Sequence, residues 1–149
     1  MTGYFPATFP AVSPTLDDRR FWALCAARRL CFQRCGDCGT LRHPPTPLCP
    51  RCQSQSCDWP EAPPIGTIFS FTVVHHPSHD AAKAAVPYNV VLVEFEGCDG
   101  VRLVSNVIDA APGQLTVGAV VELAWDEGSG GQLLPRFRLA AVDRAAQPS

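Results

Sequence analysis

Long apolar runs are missing from this chain of 149 residues. The stretch Val90-Val91-Leu92-Val93 is typical of what it has, far short of the roughly 18 residues a membrane-crossing helix needs. Basic residues are missing before Arg19, and Pro6, Pro10 and Pro14 break up the first segment, so no secretory leader is expected. Absent too are a Ser-His-Asp set, a paired-carboxylate pocket, a phosphate-cradling glycine loop and a dinucleotide fingerprint, so independent catalysis is not expected. These gaps point to a cytoplasmic protein with no membrane contact. Disorder is excluded by composition, since 46% of the residues are apolar and 17% are charged.

Cysteine is abundant, with eight residues. Four of them form Cys35-Gly36-Asp37-Cys38-Gly39 and Cys49-Pro50-Arg51-Cys52, two C-x-x-C pairs. Two residues between thiolates let a tight turn aim both sulfurs at one point. Gly39 suits the positive φ such a knuckle wants after its second ligand, and Pro50 presets φ within the other. The intervening stretch is long enough for two short strands that fold one knuckle back onto the other. A site of four thiolates favours zinc; a rubredoxin-like iron centre is the alternative, although such centres space their pairs more widely. Disulfides would require an oxidising compartment. The segment 31–57 offers only Phe32, Leu41 and Leu48 as sizeable apolar side chains besides cysteine, too few to order it without metal. A structural zinc supplies on the order of 10–16 kcal/mol in small peptides. Arg34, Arg42 and Arg51 would offset part of the cluster's negative charge. Cys25 and Cys31 read as small hydrophobes, Cys57 as a non-ligand and Cys98, beside Asp99-Gly100, as half-exposed.

Residues 1–15 read as a Pro-rich arm or loose tail, residues 16–60 as helix plus metal ribbon, 61–142 as a barrel and 143–149 as a tail. Thr15 and Asp18 form a capping arrangement for a helix running to Arg28 or Arg29, with Phe21 and Trp22 on its apolar faces. Beyond Pro60, Pro63 and Pro64 the period becomes two, giving strands at 67–74, 88–95, 101–108, 120–125 and 133–139. Asp99-Gly100 marks a hairpin. Five strands without a second substantial helix predict a mainly β protein ending in an OB-type barrel. His75, His76 and His79 lie in its longest connection, where a hydrogen-bonding cap is the plainer reading than a metal or acid–base site.

In order, the chain carries Phe21-Trp22, Cys35-x-x-Cys38-Gly39, Pro44-Pro45, Cys49-Pro50-x-Cys52, Gly66-Thr67, Val74-His75, Pro87-Tyr88 and Leu134-Pro135-Arg136-Phe137. Across residues 16–140 it thereby resembles the family of acyl-CoA-associated proteins that join a rubredoxin-like zinc ribbon to an OB fold. The resemblance implies a small non-catalytic subunit that binds or hands over CoA thioesters. Its partner would be a thiolase-like enzyme, an aldolase or an enoyl-CoA hydratase, in steroid or fatty acyl-CoA metabolism. Cys35, Cys38, Cys49 and Cys52 carry over as ligands of a structural zinc. Gln53 departs from the family pattern, which often has glycine there. Arginines that could meet the anionic end of CoA are Arg28, Arg29, Arg34, Arg42 and Arg136. Ribbons and OB barrels also bind nucleic acid, but five basic residues against eleven acids after residue 57 make a poor phosphate footprint.

Overall fold

The computed structural model describes residues 3–140. Residues 3–14 run as an irregular arm over the surface. The Thr15–Asp18 arrangement forms as expected. Thr15 N–H donates to Asp18 Oδ1 at 2.6 Å and Asp18 N–H to Thr15 Oγ1 at 3.3 Å. Helix α1 (Arg19–Ala26) follows, shorter than its apolar pattern predicted. It stops because Arg28 turns left-handed at φ 59°, and the N–H of Arg29 returns to the Leu24 carbonyl at 2.9 Å. The C-terminal cap is thus made without the glycine that usually announces it.

Three short strands, β1 (Gln33–Cys35), β2 (Leu41–Arg42) and β3 (Cys57–Asp58), form an antiparallel ribbon with β1 in the middle. Five more, β4 (Ile65–Val74), β5 (Tyr88–Glu94), β6 (Arg102–Ser105), β7 (Val120–Glu127) and β8 (Leu133–Leu139), form the second sheet in the order β6-β5-β4-β7-β8. Strand β4 is long enough to pair with β7 at its start and with β5 along most of its length, and a bulge between Ile68 and Ser70 bends it. Residues Asp99 and Gly100, both at positive φ, make the β5–β6 turn a mirror-type hairpin loop. The sheet curls until its two edges meet at a parallel bridge between Val107 and Phe137.

The fold is therefore the expected one: mostly strands, one N-terminal helix, a ribbon and a five-stranded curled sheet. Two packing details differ from expectation. Cys98 is buried at 6% exposure, because the tight turn after it folds the thiol inward. Phe32, at 1% exposure, belongs to the barrel's core alongside Phe21, Leu30, Val91, Val93, Phe95 and Phe137. Helix, ribbon and barrel thus share one apolar core.

Candidate metal centre and adjoining cleft

The two C-x-x-C knuckles are built alike. Cys35 N–H donates to the Thr40 carbonyl and Cys49 N–H to the Ser54 carbonyl, each at 2.9 Å. Gly39 N–H returns to the Cys35 carbonyl at 3.0 Å, and Gln53 N–H to the Cys49 carbonyl at 2.8 Å. Gly39 sits at φ 76° and Gln53 at φ 62°, so the glutamine adopts the same left-handed turn as the glycine. Strand β1 delivers Cys35, and the loop after β2 delivers Cys49 and Cys52.

All four sulfurs lie within 4.8 Å of one another, with Cys35 and Cys52 3.4 Å apart and Cys38 and Cys49 3.6 Å apart. A tetrahedral Zn²⁺ with bonds of about 2.3 Å needs sulfurs a little under 4 Å apart, so the set fits that ion. Backbone N–H groups of Asp37 and Cys38 approach the Cys35 sulfur, and that of Arg51 the Cys49 sulfur, each at 3.4 Å. These donors favour thiolate. The Thr40 hydroxyl and N–H, with smaller help from neighbouring thiols, hold the Cys38 thiol down to about 6. Zinc held here would order the ribbon.

The other cysteines stand apart. Cys57 is exposed and its sulfur accepts from Gln33 Nε2 at 3.5 Å, while Cys25 is fully buried, which pushes its thiol up to about 12. His79 is a cap: its Nδ1 accepts the Ala81 N–H at 3.1 Å, at the head of the short 3₁₀ helix Asp80–Ala85.

Beside the ribbon lies a cleft of about 340 Å³, where β6 and β8 diverge before their edges meet. Phe21 and Trp22 of α1, His43 and Pro44 of the ribbon, and Leu134 and Arg136 of β8 line it. The His43 ring sits 4.8 Å from Phe21 and 5.4 Å from Phe32, and burial lowers its basicity to about 4. Its Nδ1 is buried without a hydrogen-bond partner, as is Arg136 Nε. That same Arg136 Nε forms a 3.5 Å ion pair with Asp126 Oδ2 without hydrogen-bond geometry, both side chains being nearly buried.

Comparison with known proteins decides the family. Residues 22–57 match the family model described as "ChsH2, rubredoxin-like zinc ribbon domain", and residues 59–126 the one described as "ChsH2, C-terminal OB-fold domain". A solved structure described as "Ltp2-ChsH2(DUF35) aldolase" superposes with a TM-score of 0.79 at 40% identity, covering 88% of this chain and 100% of that one. The chain belongs to the ChsH2/DUF35 family.

Longer relatives are similar too. The "probable enoyl-CoA hydratase alpha subunit" of Thermomonospora curvata is 45% identical over 83% of this chain. The "3-oxo-4,17-pregnadiene-20-carboxyl-CoA hydratase alpha subunit" of Mycobacterium tuberculosis is 34% identical over 76% of it. This chain spans 38% and 35% of those two proteins' lengths.

In this ChsH2-type chain the arginines singled out by sequence do not form one cluster. Arg28 is exposed just beyond α1. Arg29 pairs with Glu61 and Arg34 with Asp58, both on the surface. Arg42 is buried in the ribbon at 7% exposure and donates to the Thr46 carbonyl at 3.2 Å. Arg136 lines the cleft. His43 and Asp126 were not singled out by sequence, since each acquires its environment from residues distant in the chain. The position of His43 beside Pro44-Pro45, within the ribbon loop, was the available signal.

Proposed function

We propose that this protein is a non-catalytic subunit of an enzyme that acts on CoA thioesters, docking to a thiolase-superfamily aldolase or an enoyl-CoA hydratase. The observation that carries this reading is the full-length match to the chain of the Ltp2-ChsH2 aldolase structure, at 40% identity and without a leftover domain on that side. The names of the hydratase alpha subunits add support. The acyl group would be a steroid or a fatty acid. A CoA thioester would meet the protein at the cleft, where Arg136 offers a cation against an apolar wall, with Arg28 outside for the nucleotide phosphates and Arg34 able to join only by leaving its ion pair with Asp58. Arg42, buried in the ribbon, supports the fold instead.

The test is coexpression with a hydratase or aldolase large subunit from the same genome, followed by size-exclusion chromatography. Co-elution at fixed stoichiometry, with thioester turnover by the complex and none by this chain alone, is expected. A chain that elutes alone beside every such subunit, or that turns over the thioester by itself, overturns the reading. Electrostatics disfavour nucleic acid: the acidic barrel would repel phosphates, and low-salt filter binding should retain no single strands.

A further inference from the structure

The arm ahead of the helix is an aromatic and proline segment with no charged residue from Gly3 to Pro14. It lies along the end of β7 and the loop before β8. Tyr4 N–H donates to both carboxylate oxygens of Asp126, at 3.2 and 3.1 Å, and Tyr4 OH accepts from Asn89 N–H at 3.2 Å. Phe5 meets Tyr88 edge-on at 5.0 Å and stacks on Phe9 at 4.5 Å. Ser129 Oγ reaches the carbonyls of Ala7 and Phe9 at 3.0 and 2.5 Å.

Under the arm is a second cavity of about 150 Å³ whose walls include Phe5, Phe9, Asp126, Leu134 and Arg136. Leu134 and Arg136 also line the larger cleft described above. The two spaces therefore lie on either side of one leucine and one arginine, and the arm roofs the smaller.

We infer that residues 3–12 form a displaceable strap that closes one side of a groove centred on Arg136, so that lifting the strap joins the two cavities. Three observations support this. No residue of the strap is fully buried, so opening it leaves the core intact. Its attachments are ring edges and a few hydrogen bonds to Asp126, Asn89 and Ser129, with no ion pair among the described residues. Asp126 serves both the strap, through Tyr4 N–H, and Arg136, through the 3.5 Å ion pair, so the strap's position and the arginine's setting are linked through one carboxylate. With the strap closed, the smaller cavity against Arg136 is roofed; with it open, that cavity and the larger cleft are continuous past the guanidinium.

The experiment labels arginines of the full-length, metal-loaded protein with phenylglyoxal and follows each site by mass spectrometry. Phe5→Ala/Phe9→Ala should raise the modification rate at Arg136 at least tenfold while exposed Arg28 reacts at the unaltered rate. An unchanged Arg136 rate in a folded double variant overturns the proposal, and a rise at both arginines reports general loosening and also counts against it. Hydrogen exchange of the unmodified protein needs no variant. The Tyr4 amide should exchange at least a hundredfold faster than the Phe137 amide; equal protection would show that the strap opens only with global unfolding and would likewise overturn it.

Discussion

Replacing Asn89 by alanine should markedly destabilise the barrel's seam. The residue is 2% exposed at the start of β5, and its side chain acts as a strand partner for Val107. Asn89 Nδ2 donates to the Val107 carbonyl at 2.8 Å, and Asn89 Oδ1 accepts the Val107 N–H at 2.7 Å. Val107 is fully buried, and it and its neighbours close the sheet: Ile108 N–H donates to the Phe137 carbonyl at 2.8 Å and Phe137 N–H to the Asn106 carbonyl at 3.1 Å. Alanine leaves one donor and one acceptor of the Val107 backbone buried and unpaired. At about 1–3 kcal/mol each, the loss comes to about 2–6 kcal/mol. That is a large part of the roughly 5–15 kcal/mol that holds a domain of this kind together. In zinc-containing buffer, urea unfolding followed by tryptophan fluorescence should show a midpoint lowered by about 1–3 M for a slope near 2 kcal/mol/M. Ser105→Ala, which removes a single buried donor to the Pro135 carbonyl, should cost about 1 kcal/mol. A fall of less than about 0.3 M for Asn89→Ala at unchanged slope would refute the accounting.

Zinc should be found at one ion per chain by elemental analysis. Chelation should expose Cys35, Cys38, Cys49 and Cys52 to alkylation, whereas Cys57, already exposed, reacts with or without metal. Gln53→Gly should relieve the left-handed strain at φ 62° and strengthen metal retention in a chelator competition, by up to about 1 kcal/mol after the added chain entropy is subtracted. His43 should give the protein an acid sensitivity. Burial holds its pKa near 4 when folded, against an ordinary value of 6.5, so the unfolded chain takes up the proton first. Its contribution is then complete above about pH 6.5, falls as the pH drops towards 4, and is lost below that. The gap between the folded and unfolded values corresponds to about 3 kcal/mol of stability in total. His43→Phe should flatten that part of the stability–pH curve, and an unchanged slope would rule His43 out as its source.

The parts of this fold that could be read from sequence are those whose cause is local. Two thiolates three positions apart need only a tight turn, so both knuckles were legible, and the period-two pattern placed β8 at its observed bounds of Leu133–Leu139. Helix α1 falls short of its apolar pattern because Arg28, with no glycine to signal it, takes the left-handed cap. The third barrel strand was expected through residue 108 but ends at Ser105, because Asn106 and Val107 leave the β5 ladder to join β8. Asn89 makes that exit possible with a side chain that imitates backbone, and a polar residue near a strand's start carries no such sign. Of the cleft, Arg136 was singled out as a cation in a family motif. Its histidine and the aspartate partner of Arg136 were not, since both arrive through contacts between residues far apart in the chain; the N-terminal arm was expected, but not where it lies.

The ribbon and barrel are coupled through aromatic rings, and this has a consequence for the metal. Phe32 lies three residues before Cys35, and its ring is 5.3 Å from Phe95, which in turn is 6.0 Å from Phe137 in β8. Phe32 also lies against His43, whose ring is tilted against that of Phe21 of α1. A ligand set that fixes β1 therefore fixes Phe32, and Phe32 holds one wall of the cleft and one end of the barrel core. Losing the ion would release more than a surface loop, because a phenylalanine at 1% exposure would lose its backbone support, and fully removing such a ring from a core costs about 3–5 kcal/mol. The metal-loaded protein should consequently unfold in one urea transition seen alike by tryptophan fluorescence and by thiol reactivity. Chelated protein should unfold at lower urea with the buried Cys98 in the barrel reacting earlier as well. If Cys98 instead kept the same protection while the four ligand thiols reacted freely, ribbon and barrel would be independent units and the aromatic chain between them would carry no coupling.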